Sequence, residues 1–313
     1  MIIGSQGALQ MTPDGKFLLA VDAGSSQISV LAVDAKGGLT AVAGGPVASG
    51  GSTPVSLAIH NDLVYVANKG DGLNGSNYSG FKLDAKGVLA PITGSTVAIS
   101  AGAAPGDVLF NADGSVLIGV EVGPDAGPSA IDSFAVGADG KLTPAAPSPN
   151  KGQAVGPFGS QFSPTSPTTL YVTNAHDGPN KGSVSGYTVA ADGALTPISG
   201  SPFANGQTGT CWLTISADGK YVYAVNTGIP SISAFAAGPD GALKLLSNTL
   251  FNLPTGLRPF DIRLAPDGQH LYVVDAGLNM VSAFSVKDGT VTEPASSPVA
   301  LPAGATPFGI VVD

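Results

Sequence analysis

One unit recurs six times along this chain. Asp22, Asn68, Glu121, Asn174, Asn226 and Asp275 each close a run of β-forming residues, at spacings of 46, 53, 53, 52 and 49 residues. A period of that length marks stacked supersecondary units, each too small to bury its own faces alone. The sixth copy shows the plan. Residues 258–264 read as a first strand, ended by the turn Ala265-Pro266-Asp267-Gly268. Residues 271–274 (Leu-Tyr-Val-Val) are a continuous apolar run, which predicts a strand buried on both faces. Residues 280–286 alternate apolar and polar, and Lys287-Asp288-Gly289 is a hairpin signal in which glycine takes a positive φ at little cost. The last strand, 291–294, ends in a proline that suits only an edge. Burial therefore falls from the inner strands outward, the order expected of a propeller blade.

The copies span residues 4–50, 51–103, 104–155, 156–207, 208–255 and 256–303. Residues 306–312 then repeat the opening strand with nothing after it. The fold expected is all-β and a single domain over 1–313: a β-propeller of the seven-bladed type, with six complete four-stranded blades and the inner strand of an incomplete seventh. No helix is expected. A propeller closes its ring, so the orphan strand predicts that about one repeat period, roughly 50 residues, is missing ahead of Met1. A six-bladed ring with a loose terminal strand is the alternative.

Composition supports this reading and removes several function classes. Gly 44 and Pro 25 supply turns, while 43% hydrophobic and 11% charged residues exclude a disordered chain. A net charge of −9 argues against nucleic-acid binding, which needs basic surface. No apolar run approaches the roughly 20 residues that span a bilayer, so no membrane partner is expected, and the chain is read as a monomer. The lone Cys211 excludes an internal disulfide. Met1-Ile2-Ile3-Gly4 is not a signal peptide. Sparse lysine with abundant Gly, Ser, Thr and Asn leans toward export.

In such a ring the loops after the second strands and before the first strands share one end, and a polar bowl is expected there. Asn68, Asn174, Asn226 and Asp275, like Asp22, read first as Asx-turn residues and second as ligand-binding groups. Glu121 stands out, because its longer side chain caps such a turn poorly. With His176 it is a candidate base for water, and Arg258 is a candidate oxyanion stabiliser. Lys69, Asp107, Trp212 and Asp261 complete the expected binding set: Trp212 to stack on a sugar face or pack in the core, Arg258 to pair with Asp261 or clamp an anion. No metal and no cofactor is expected, since three scattered histidines and one cysteine have no zinc spacing. Oxygen-only calcium binding at the Asp71, Asp125 or Asp177 loops has no specific signal.

The stretches Gly4-Ser5-Gln6-Gly7-Ala8-Leu9, Thr12-Pro13-Asp14-Gly15-Lys16, Tyr65-Val66-Ala67-Asn68, Leu195-Thr196-Pro197-Ile198-Ser199-Gly200-Ser201-Pro202 and Cys211-Trp212 resemble the lactonase family of seven-bladed propellers, which includes 6-phosphogluconolactonases and carboxymuconate cyclases. The resemblance runs over essentially the whole chain. It implies a metal-independent hydrolase acting on a sugar or organic-acid lactone. It also implies an arginine and a histidine where this chain has Gly156-Pro157-Phe158-Gly159, and an acid where it has Ala175. Those departures keep open a non-catalytic propeller that binds a small ligand or a protein.

Overall fold

Each repeat folds into one antiparallel sheet whose first three strands are ordered as in the sequence. The structure is a computed structural model and describes residues 4–71, 74–100, 102–123, 129–253, 255–305 and 307–312. Among these there is no helix. The second strands Leu63–Asn68, Val116–Glu121 and Thr169–Asn174 are buried along their whole length, as their unbroken β-forming runs require.

Four strands per blade is one too few. In five of the six sheets the third strand pairs along its outer side with two short strands. In blade three, Ala130–Val136 pairs with Leu142–Pro144 at one end and with Asn150–Lys151 at the other. In blade five a single strand, Leu243–Leu250, covers both, with a register shift beside Phe235. The extra two-residue strands carry no run long enough to be seen as strands in the sequence.

The outer hairpins follow their sequence signal closely. Asp34 Oδ1 accepts from the backbone N of Lys36 and Gly38, and Asp84 Oδ1 from that of Lys86 and Val88. Gly37 and Gly87 take the positive φ (77° and 82°) that these turns demand. Tyrosines on second strands reach such hairpins in the following blade: Tyr65 donates to Gly140 O (2.7 Å) and Tyr171 to Gly241 O (2.9 Å).

The chain is organised as two compact units. The first holds residues 1–151 with 191–194, hence blades one to three; the second holds 152–190 and 195–313, hence blades four to six. In the first unit, Leu19, Ile28, Leu57, Val64, Val66 and Phe81 pack blade one on blade two, and Val55, Tyr65, Tyr78, Val108, Leu117 and Phe134 pack blade two on blade three. In the second, Tyr171, Val184, Leu213, Val222 and Phe235 do the same for blades four and five.

First strands depart from simple alternation. In blades two to six the register against the second strand shifts near its start, as between Pro105 and Asp107 or Phe260 and Ile262. Such a bulge re-aims the residues beside it.

Residues 307–312 form no strand, contrary to the inner strand expected at 306–312; Thr306 lies outside the described residues. A ladder needs a partner edge, and this segment instead rests on Pro259–Leu264. Ile310 N donates to Asp261 Oδ2 (3.2 Å), and the Phe308 ring lies 6.1 Å from that of Phe260.

Candidate functional site

In five of six blades the residue closing the second strand is an Asp or Asn bonded to serine on the third strand. Ser29 donates to Asp22, and Asn68 donates to Ser79. Asn174 donates to Ser183 and Ser185, Asn226 donates to Ser231 and Ser233, and Ser282 donates to Asp275. These are cross-strand bonds between side chains. The Asx turns expected of these residues are therefore replaced by a lattice that ties the second strand to the third.

Blade three breaks the pattern at every position of that lattice. Register places Ser29, Ser79, Ser185, Ser233 and Ser282 opposite Ala20, Val66, Val172, Ala224 and Val273. The corresponding pair in blade three is Asp132 opposite Gly119, and the strand closes with Glu121. Asp132 and Glu121, 3% and 0% exposed, place two buried carboxyl groups beside one another. A fourth departure comes from blade two: Tyr78 stands where the other third strands have Ile28, Ile131, Val184, Ile232 and Val281. Its hydroxyl donates to Asp132 Oδ2 (2.9 Å). The missing side chain at Gly119 makes this possible, since a Cβ there would lie 2.0 Å from the Tyr78 oxygen.

The electrostatics follow from burial. Desolvation raises Asp132 to about 7, with the Glu121 charge adding to it and the Tyr78 bond opposing it. Tyr78 is pushed well above the usual phenol range by desolvation and by Asp132, so it stays a donor. Ser100 N donates to Glu121 Oε1 (3.2 Å), while among the described residues no donor reaches the buried Oε2. Two close carboxyl groups in low dielectric disfavour each other's charge, so the neighbouring Glu121 helps Asp132 keep its proton. They line a cavity of about 140 Å³ with Val97, Ile99, Phe134, Pro144 and Pro149.

The other expected site residues occupy varied settings. Lys69 is half-buried and its carbonyl accepts from Ser76. Asp107 is buried and accepts from Ser56 Oγ (3.1 Å) and Val108 N. In the second unit, Asp261 pairs with Arg263 and not with Arg258, whose side chain is exposed. Trp212 does not offer its face at a mouth: it is 1% exposed, with Phe158 and Phe260 rings each at 4.9 Å. The register shift between Thr210 and Trp212 sends it into this aromatic cluster. His176 is half-buried on the loop after Thr169–Asn174, its ring against Gly156. Arg258 lies on the loop before Pro259–Leu264, so the two residues hang from separate loops. Burial pushes the Cys211 thiol up to about 12, which removes it as a thiolate nucleophile near neutrality.

Among the described residues no three His, Cys, Asp or Glu side chains gather as a metal site. Asp71 is bonded to Asn74 and Asp177 to Val155 N; Asp125 lies outside the described residues.

Asp132 escapes a reading of single residues. The signal lies in comparing copies by register: four departures, at 78, 119, 121 and 132, fall on one spot.

Sheets of this construction, repeated six times, define an all-β protein of the propeller class. The chain belongs to the lactonase, 7-bladed β-propeller family, whose match covers residues 125–311, more than half of the sequence. Among solved structures, a candidate 6-phosphogluconolactonase from Bacteroides uniformis is similar at TM-score 0.77 and 23% identity, over 93% of this chain and 84% of that one. The periplasmic gluconolactonase of Pseudomonas aeruginosa is similar at 0.72 and 21%, over 96% and 88%. Hydrazine synthase of Kuenenia stuttgartiensis also shares the fold, at 0.67 and 17%, over 91% and 77%. No curated protein matches the chain.

Proposed function

We propose that this protein is a lactone hydrolase in which Glu121 and Asp132 perform acid–base catalysis without a metal. The observation that carries this is Glu121, which lines a cavity beside Asp132, a carboxyl group that burial raises to about 7, and whose buried Oε2 has no donor among the described residues. Family membership supports the choice of lactone as the bond cleaved. Glu121 takes a proton from water as the water oxygen attacks the ring carbonyl. Protonated Asp132 gives its proton to the carbonyl oxygen, so no bare oxyanion forms. The tetrahedral intermediate then collapses: the ring C–O bond breaks and the departing oxygen takes the proton from Glu121. Asp132 regains its proton from the intermediate's hydroxyl, leaving a hydroxy acid.

Tyr78 holds Asp132 in place and does not itself transfer a proton. His176 and Arg258 remain as the second base and the anion-binding cation of the sequence reading. A seventh blade, as the family's description has it, also belongs to this proposal.

A lactone panel followed by acid release tests the reading. The expected result is turnover that drops at least a hundredfold in Glu121→Gln and in Asp132→Asn, a size typical of a lost acid or base. Turnover also declines as pH rises through about 7, where Asp132 loses its proton. Turnover indifferent to both substitutions, but abolished by His176→Ala or Arg258→Ala, would move the chemistry to the second unit.

A further inference from the structure

The acid pair sits in an unusual setting for a family that includes enzymes of phosphorylated sugars. Its cavity is walled by Val97, Ile99, Phe134, Pro144 and Pro149, and no Lys, Arg or His lines it. Among the described residues, the ionisable groups that line the cavity are Glu121 and Asp132. The phenol of Tyr78, packed against the pair from blade two, is spent on Asp132, so it cannot serve as an anion donor. Asp107 adds a further negative charge near Tyr78. Lys141, on the outer hairpin of the same blade, is paired with Asp139 at 3.7 Å.

Phosphate recognition requires cations or converging backbone N–H groups. Among the described residues, the backbone N–H aimed at the pair is that of Ser100, and it is taken by Glu121. A phosphate or carboxylate brought into this space would face a negative charge with no cation in the lining to compensate it, the hydroxyls of Ser100 and Ser148 being neutral. Size points the same way. A cavity of about 140 Å³ lies below the roughly 300–1,000 Å³ of sites for drug-sized ligands.

Resting on the hydrolase reading above, we infer that the substrate is a small uncharged lactone, with neither phosphate nor carboxylate, whose carbonyl faces Glu121 and Asp132 and whose hydrocarbon edge lies on Val97, Ile99 and Phe134. The structure thus assigns this chain a substrate class apart from that of the phosphogluconolactonase-like neighbours. The four coupled departures from the repeat create the acid pair and the pocket together, so the charge is built in.

The test compares kcat/KM for δ-valerolactone and for 6-phosphogluconolactone at low ionic strength, with the wild-type chain. The expected preference for the uncharged lactone is at least tenfold. It should narrow in part when salt is raised to about 1 M, because screening acts on the substrate's charge at the exposed rim by Ala98 more than on the buried acids. Ala98→Arg, at the exposed rim of the cavity, should shift the ratio severalfold toward the phosphorylated lactone. Equal or better turnover of the phosphorylated lactone by the wild type overturns the substrate class and leaves the hydrolase standing. A preference insensitive to both salt and Ala98→Arg overturns its electrostatic basis. Failure to hydrolyse either compound overturns the hydrolase reading itself.

Discussion

Gly119 is where a single absent atom decides the site. A strand interior normally disfavours glycine, and one that persists there marks close approach of another group. The Tyr78 phenol occupies the space: its oxygen and Cζ would lie 2.0 and 2.4 Å from an added Cβ. Because Tyr78 is fully buried against Phe134, it has little room to move. Gly119→Ala should therefore displace the ring, break the bond to Asp132 and destabilise the fold by about 2–4 kcal/mol, overpacking plus a lost buried hydrogen bond. Urea denaturation measures this. In a Tyr78→Val background the same substitution should cost much less, and an undiminished cost would show that Tyr78 is not what Gly119 accommodates.

At the scale of the strand pair, blade three has given up a stable device. In blade two the neutral Asn68 donates to Ser79, at no cost in buried charge. Two carboxyl groups in the same place are expensive. Restoring the blade-two chemistry with Glu121→Asn and Asp132→Ser together should raise stability by about 1–3 kcal/mol at pH 8, read as a higher urea midpoint. Any lactone turnover should vanish in the same protein. Stability falling in this variant would identify the acid pair as a structural element of the blade. The position of Glu121 was legible in the sequence, because a long acid ends a run that elsewhere ends in Asp or Asn. Its partner was not, since Asp132 looks like an ordinary polar residue until strand register sets it against the serines.

For the molecule as a whole, the buried acids set how stability varies with pH. Asp132 in the first unit and Asp275 in the second both titrate near 7, raised chiefly by desolvation from 3.8. A carboxyl group raised on folding binds its proton more tightly in the folded state. Its contribution is full below about 4, shrinks as pH rises through 4–7, and is gone above 7, on the order of 4 kcal/mol per group at the limit. The exposed Asp14, Asp34, Asp84 and Asp267 are lowered by backbone and side-chain hydrogen bonds, so they act in the opposite sense below about 4. Thermal midpoints should thus peak near pH 4, fall as pH rises to about 7 and level off above it. The Asp132→Asn, Asp275→Asn double variant should flatten that decline, and an unchanged slope would rule these two groups out as its source.

The sequence by itself determined the repeat, the all-β class, the order of strands within a blade, the buried second strands and the Asx-type hairpins. All of these are local: they follow from periodicity, turn chemistry and β-propensity within some 50 residues. The resemblance carried by short motifs pointed to the right family for the same reason. Tertiary structure decided what no local rule reaches. It paired Asp261 with Arg263, buried Trp212 among phenylalanines, and laid residues 307–312 on Asp261 and Phe260 without a ladder. Above all it brought Tyr78 across 54 residues to Asp132, beside Glu121 and over Gly119. Neighbouring blades touch through third-strand and second-strand side chains, and that contact is set by how sheets stack, which the residues of one blade do not encode.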